Sequence, residues 1–126
     1  MRKFIIGITV LSLLLIAGLF VANATEEMYA HIIDLLKDGA QNALSGSFQI
    51  AKAQAEKAKV LWDKQKNATA TVADHTPMEE IDHLFAEMEI YAKAEEKPHF
   101  AAVCKELSRR IRAVAEAHRF SWWNVL

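Results

Sequence analysis

Nineteen consecutive uncharged residues, Phe4–Ala22 (FIIGITVLSLLLIAGLFVA), constrain this chain more than any other stretch. At about 1.5 Å of rise per helical residue they match the roughly 30 Å hydrocarbon core of a bilayer. Lipid offers the backbone no hydrogen-bond partners, so the segment is expected to be helical. Arg2 and Lys3 stand immediately before it. That positive flank is expected to keep the N-terminus cytoplasmic and to place the rest of the chain outside. A buried core helix of a soluble protein is the competing reading, but so short a chain has little with which to cover such a helix on all sides.

Ala22-Asn23-Ala24 is a small-x-small triplet of the kind signal peptidase cleaves. The apolar run exceeds the usual length of a signal peptide's hydrophobic region, which favours a retained anchor over cleavage after Ala24. The expected division is an anchor or signal peptide over 1–24 and an extracytoplasmic domain over 25–126. The domain carries a net charge of −3, against +2 in the first 24 residues, and gives no reason to expect nucleic acid as a partner. The single cysteine, Cys104, rules out an intrachain disulfide framework. It reads as a small apolar residue beside a buried helix face, with an intermolecular bridge as the other possibility. Four glycines and two prolines, amid abundant Ala, Glu, Lys and Leu, point to helix.

Four amphipathic stretches follow. In Thr25–Leu44, the residues Met28, Ile32, Leu35, Leu36 and Ala43 share a face, and no strong breaker separates this helix from the apolar run. Ser45-Gly46-Ser47 reads as a turn. A second helix, from about Phe48 to Lys66, presents Phe48, Ala51, Ala55, Ala58 and Trp62. Asn67–His75 has no periodicity and reads as the longest loop. Thr76, Pro77 and Glu79 then form the expected capping box of a third helix, whose stripe is Met78, Ile81, Leu84, Phe85, Met88, Tyr91 and Ala92. A fourth helix starts near Pro98 and aligns Phe100, Val103, Leu107, Ile111, Val114 and His118.

The predicted fold is therefore all-α, an N-terminal transmembrane or signal helix followed by an antiparallel bundle of about four amphipathic helices. Net charge alternates along it, with −3 over Thr25–Asp38, +3 over Lys52–Lys66, −7 over Asp74–Glu96 and +4 over Lys97–Arg119. In an up-and-down bundle, successive helices of opposite charge lie side by side. At about 0.2–1 kcal/mol per exposed pair the pattern specifies pairing more than it stabilises. The fourth helix would run back toward the first, carrying Trp122 and Trp123 with it. Two placements of that tail follow: Trp122, Val125 and Leu126 folding back to plug the bundle, which is the preferred one, or aromatic rings at the bilayer interface.

The helix from Phe48 to Trp62, the segment His75-Thr76-Pro77-Met78-Glu79-Glu80-Ile81-Asp82 and the ending Ser121-Trp122-Trp123-Asn124-Val125-Leu126 together resemble the bacterial family called domain of unknown function 4363. Its members look similar in having a single hydrophobic span, a tryptophan near the end of the second helix, an acidic Glu-Ile-Asp segment and a Ser-x-x-Asn-aliphatic-Leu ending. The resemblance implies membrane anchoring and a helical fold, and brings no catalytic residues.

The five histidines raise metal or haem binding as a possibility. A zinc site needs three or four ligands converging at about 2 Å. Glu79 reads as part of the cap, while Glu80, Asp82 and His83 fan around the polar side, and His118 sits in an apolar stripe. Glu80 and His83 supply one Glu-x-x-His pair, whereas a di-iron bundle needs two that point inward. Nucleophile-elbow and phosphate-loop sequences are absent. No catalytic, cofactor-binding or metal residue is assigned, and neither a cofactor nor a small-molecule substrate is expected. The expected function is non-enzymatic: a membrane-anchored interaction module, joined to the membrane through Phe4–Ala22 and engaging another membrane or envelope protein. The alternatives are a lipid-surface element acting through the aromatic tail and a metal- or haem-binding bundle.

Overall fold

The computed structural model describes the backbone of residues 1–69 and 75–125, and the side chains of residues 1–67 and 76–120. Four helices make up the described chain: α1 (Arg2–Leu44), α2 (Phe48–Thr69), α3 (His75–Lys93) and α4 (Lys97–Val125). The all-α bundle expected from the sequence is what forms, and the family of apolar stripes becomes its core.

α1 is one unbroken helix of 43 residues, about 64 Å long. Its two halves differ completely. The stretch Phe4–Val21 exposes every large apolar side chain, and nothing in the described chain covers them. The helix is long and apolar enough there to cross a membrane by length and composition, a property that a signal sequence shares. Thr9 donates its hydroxyl to the Ile5 carbonyl at 2.8 Å, so this polar group is satisfied within the run. From Tyr29 onward the same helix enters the core with Tyr29, Ile32, Ile33, Leu36, Ala40 and Ala43.

α1 is the central element, flanked by α2 and α4, while α3 rests mainly on α4. Small residues let α1 and α2 approach closely. A Cβ placed on Gly39 would lie 3.5 Å from the Ala51 carbonyl oxygen, and Ala51, Ala55 and Ala58 are all buried on the facing stripe. The α2–α3 seam is wider, since Trp62, Phe85 and Met88 fill the core with large side chains. Burying each such side chain is worth about 1.5–3 kcal/mol. At the end far from the apolar run, Phe48 and Phe100 meet edge to face with centroids 5.2 Å apart.

Both turns at that far end use the same device. After α1, Gly46 adopts φ +92° and the Ser47 N–H donates to the Asn42 carbonyl at 2.9 Å. After α3, Glu95 adopts φ +56°, while its N–H reaches Ala92 and that of Glu96 reaches Tyr91 at 3.0 Å. The α3 end makes both bonds of a Schellman cap and the α1 end its outer one, so orphan carbonyls of each last turn are hydrogen-bonded.

Three boundaries differ from the sequence expectation. α2 continues to Thr69, past Lys66, because the Asn-Ala-Thr residues contain no breaker. The expected Asn67–His75 loop therefore shrinks, and residues 70–74 lie outside the described ones. α3 begins at His75, so Thr76 is already helical and does not precede the first helical residue; Pro77 still lies in the first turn, where a missing N–H is harmless. α4 continues to Val125 without turning back, since no Gly or Pro follows Arg119. What the side chains of Trp122, Val125 and Leu126 touch lies outside the described residues.

Candidate functional site

At the end of the bundle beside the apolar run, side chains join α1 to α4. Arg119 Nε lies 3.5 Å from Glu26 Oε1, and His118 meets Tyr29 edge to face at 6.3 Å between centroids. These two pairings fix the register of the antiparallel helices. Continuing it, the last turn of α4 reaches the level of Ala22, where the apolar run ends. The Thr25 hydroxyl there donates to the Val21 carbonyl at 2.9 Å.

Polar side chains bridge the α2–α3 seam. Trp62 Nε1 donates to Asp82 Oδ1 at 3.0 Å, and Lys66 Nζ donates to Asp82 Oδ2 at 3.1 Å. Farther along, Lys59 pairs with Glu89, which raises the lysine's pKa chiefly through that hydrogen bond. Between α3 and α4, Arg110 holds Glu80 and also reaches Glu106 Oε1 at 3.0 Å. Glu106 accepts from Arg109 as well, and the two guanidiniums, Arg109 foremost, hold its carboxyl down at about 2. The expected charge alternation thus appears as ion pairs across α2–α3, α3–α4 and α4–α1. Across α1–α2 the bridge is neutral, with Asn42 Nδ2 donating to Gln54 Oε1 at 2.8 Å.

The residues weighed for metal chemistry do not come together. Among the described residues, no group of three His, Cys, Asp or Glu side chains converges. Glu79 and His83 are exposed on α3, Glu80 faces Arg110, and Asp82 serves Trp62 and Lys66. His118 is half-buried beside Tyr29. Cys104 is fully buried, and desolvation pushes its thiol up to about 12 from an ordinary 9.0. It is a packing residue, as its position beside the α4 stripe suggests.

An open groove of about 580 Å³ runs between the far ends of α1 and α4. Lys37, Gln41, Leu44 and Ser45 line it from α1, and Lys105 and Ser108 from α4. Among the described residues neither Lys37 nor Lys105 forms an ion pair. Leu44 is 58% exposed. Sequence reasoning passed over this cluster because each lysine falls on the polar side of its own helix. Only the pairing of α1 with α4 brings them together.

The chain belongs to the family described as Domain of unknown function (DUF4363), whose model matches residues 19–125. The match takes in the whole bundle and the last turn of the apolar run. No curated protein and no solved structure matches the chain.

Proposed function

We propose that this member of the family is a non-enzymatic, membrane-anchored interaction module. Phe4–Ala22 spans the bilayer and stays uncleaved, Arg2 and Lys3 lie on the cytoplasmic side, and residues 25–126 form a helical domain outside. The observation that carries this reading is the division of α1. Its first half exposes a continuous apolar surface that water disfavours, while its second half is the central core helix of the bundle. An uncleaved helix of this kind ties the domain to the bilayer without a flexible linker. The domain then holds a neighbouring membrane or envelope protein.

Two measurements on the full chain test the reading. Carbonate-washed membranes should retain the protein at its uncleaved mass, and protease added outside should remove the bundle. A soluble protein of reduced mass would overturn the anchor. In-cell crosslinking should yield a reproducible hetero-adduct, and its absence across crosslinker lengths would remove the interaction role.

One observation favours a second reading, in which the tail also engages lipid. The Glu26–Arg119 register brings the end of α4 level with Ala22, close to where the interface would lie. Trp and Tyr are enriched at that depth. Brominated lipids should quench part of the tryptophan emission of the reconstituted chain, and Trp122→Phe with Trp123→Phe should abolish the quenched part. Unchanged quenching in that variant would exclude the tail.

A further inference from the structure

We propose that the groove between the far ends of α1 and α4 docks an extended acidic segment of a partner protein, its carboxylates on Lys37 and Lys105 and an aliphatic side chain on Leu44. This assignment deepens the interaction role above by naming the surface and the chemistry it selects. The cations at the helix seams, Lys59, Lys66, Arg110 and Arg119, are each taken by a carboxylate of the bundle. Among the described residues Lys37 and Lys105 have none, and they line a single groove. Exposed lysines on both walls, held by no carboxylate among the described residues, leave two cations available to a partner's carboxylates in a chain whose net charge is −1.

The remaining lining favours a peptide over a lone anion. Ser108 donates its hydroxyl to the Lys105 carbonyl at 2.8 Å, and Ser45 donates to the Asn42 carbonyl at 3.3 Å. Ser108 is almost wholly buried, whereas Ser45 is exposed and, with its proton so committed, keeps its hydroxyl oxygen as an acceptor. Such an acceptor suits an N–H group of an extended backbone. Leu44 adds an apolar contact for an aliphatic side chain. Height above the bilayer argues the same way, and here the assignment rests on the anchored reading. Lys37 stands fifteen residues beyond Ala22, about 22 Å along the helix, whereas the headgroup layer is only about 5–8 Å deep.

A photo-crosslinking residue at Ser45 of the full chain, in membranes of the producing cells, tests the assignment, with the same residue at the exposed Glu87 of α3 as control. The expected adduct is specific to position 45, and mass spectrometry of it shows a peptide with two or more carboxylates near the attachment point. Lys37→Glu combined with Lys105→Glu should lower the yield about tenfold or more, the equivalent of about 1.4 kcal/mol. Lys37→Arg with Lys105→Arg should preserve it, and melting of all variants should match the parent because both positions are exposed. An adduct on a second copy of this chain, on phospholipid or on a peptide without acidic residues would overturn the assignment. Equal yield at Glu87, or a yield indifferent to charge reversal, would do the same. Carbonate extraction of the same membranes separates the two ideas: release of the chain sinks the anchor, while a charge-dependent acidic adduct still supports the groove.

Discussion

Trp62 and Asp82 hold α2 and α3 together where the two backbones stand apart. The indole N–H donates to Asp82 Oδ1 at 3.0 Å from within the core, and the carboxylate's second oxygen takes Lys66. A fully buried indole without its acceptor would forfeit roughly 1–3 kcal/mol. Asp82→Ala should therefore destabilise the fold by about that amount in chemical denaturation. Asp82→Asn keeps an oxygen for the indole and gives up only the lysine pair, so its loss should stay below about 1 kcal/mol. Equal losses in the two variants would show that the indole bond contributes nothing.

Glu95 occupies a left-handed position that the matching turn fills with Gly46. A residue with a Cβ is disfavoured there by roughly 1–2 kcal/mol. Glu95→Gly should therefore stabilise the domain by about 1 kcal/mol, net of glycine's greater freedom when unfolded. The melting temperature should rise by about 4–8 °C. A lower melting temperature would refute the assignment of strain at this turn.

Gly39 sits where α1 meets α2, yet an added Cβ would find ordinary contact distances. Gly39→Ala should stabilise by roughly 0.5–1 kcal/mol through helix propensity. Gly39→Leu must push the Ala51 backbone away and should cost about 1–3 kcal/mol. Opposite signs in the two denaturation curves are the result to look for.

The Glu106 carboxyl lies at about 2, below its ordinary 4.5, because Arg109 and then Arg110 hold its charged form. Such a group adds stability above pH 4.5 that disappears as pH falls toward 2. Wild-type stability should drop through that window more steeply than in Glu106→Gln. The difference will be small, since water screens so exposed a pair. Parallel pH profiles for the two proteins would contradict the pairing.

Burial that lifts the Cys104 thiol to about 12 leaves almost no thiolate at neutral pH. Alkylation of the native protein at pH 8 should be far slower than in denaturant, with every molecule modified once unfolded. Rapid native labelling would mean that α4 opens locally.

Much of the bundle was legible because its stripes keep a strict helical period. Phe48, Ala51, Ala55, Ala58 and Trp62 are all buried as their spacing implies, and the α4 stripe is buried from Phe100 to Ile111. Farther along the same stripe, Val114 and His118 are only half-buried. The α3 cap at Glu95 escaped notice because the left-handed position holds no glycine to announce it. Asp82 reads from its own helix only as a polar-face residue, and the donor it serves, Trp62, stands on another helix. The Lys37–Lys105 groove could not be read at all from local pattern, since its walls are far apart in sequence and meet only through the α1–α4 register.

The unbroken α1 gives the bundle a fixed azimuth about its apolar half. Each helical residue turns about 100°, so one alanine inserted between Ala22 and Ala24 would swing the Lys37–Lys105 face by about that angle and shift it only about 1.5 Å. Seven inserted alanines would restore the original heading to within about 20° while displacing the domain by about 10 Å. A partner held to one side of the helix would lose contact after the first insertion and regain it after the last. Orientation is thus written into this chain as a phase.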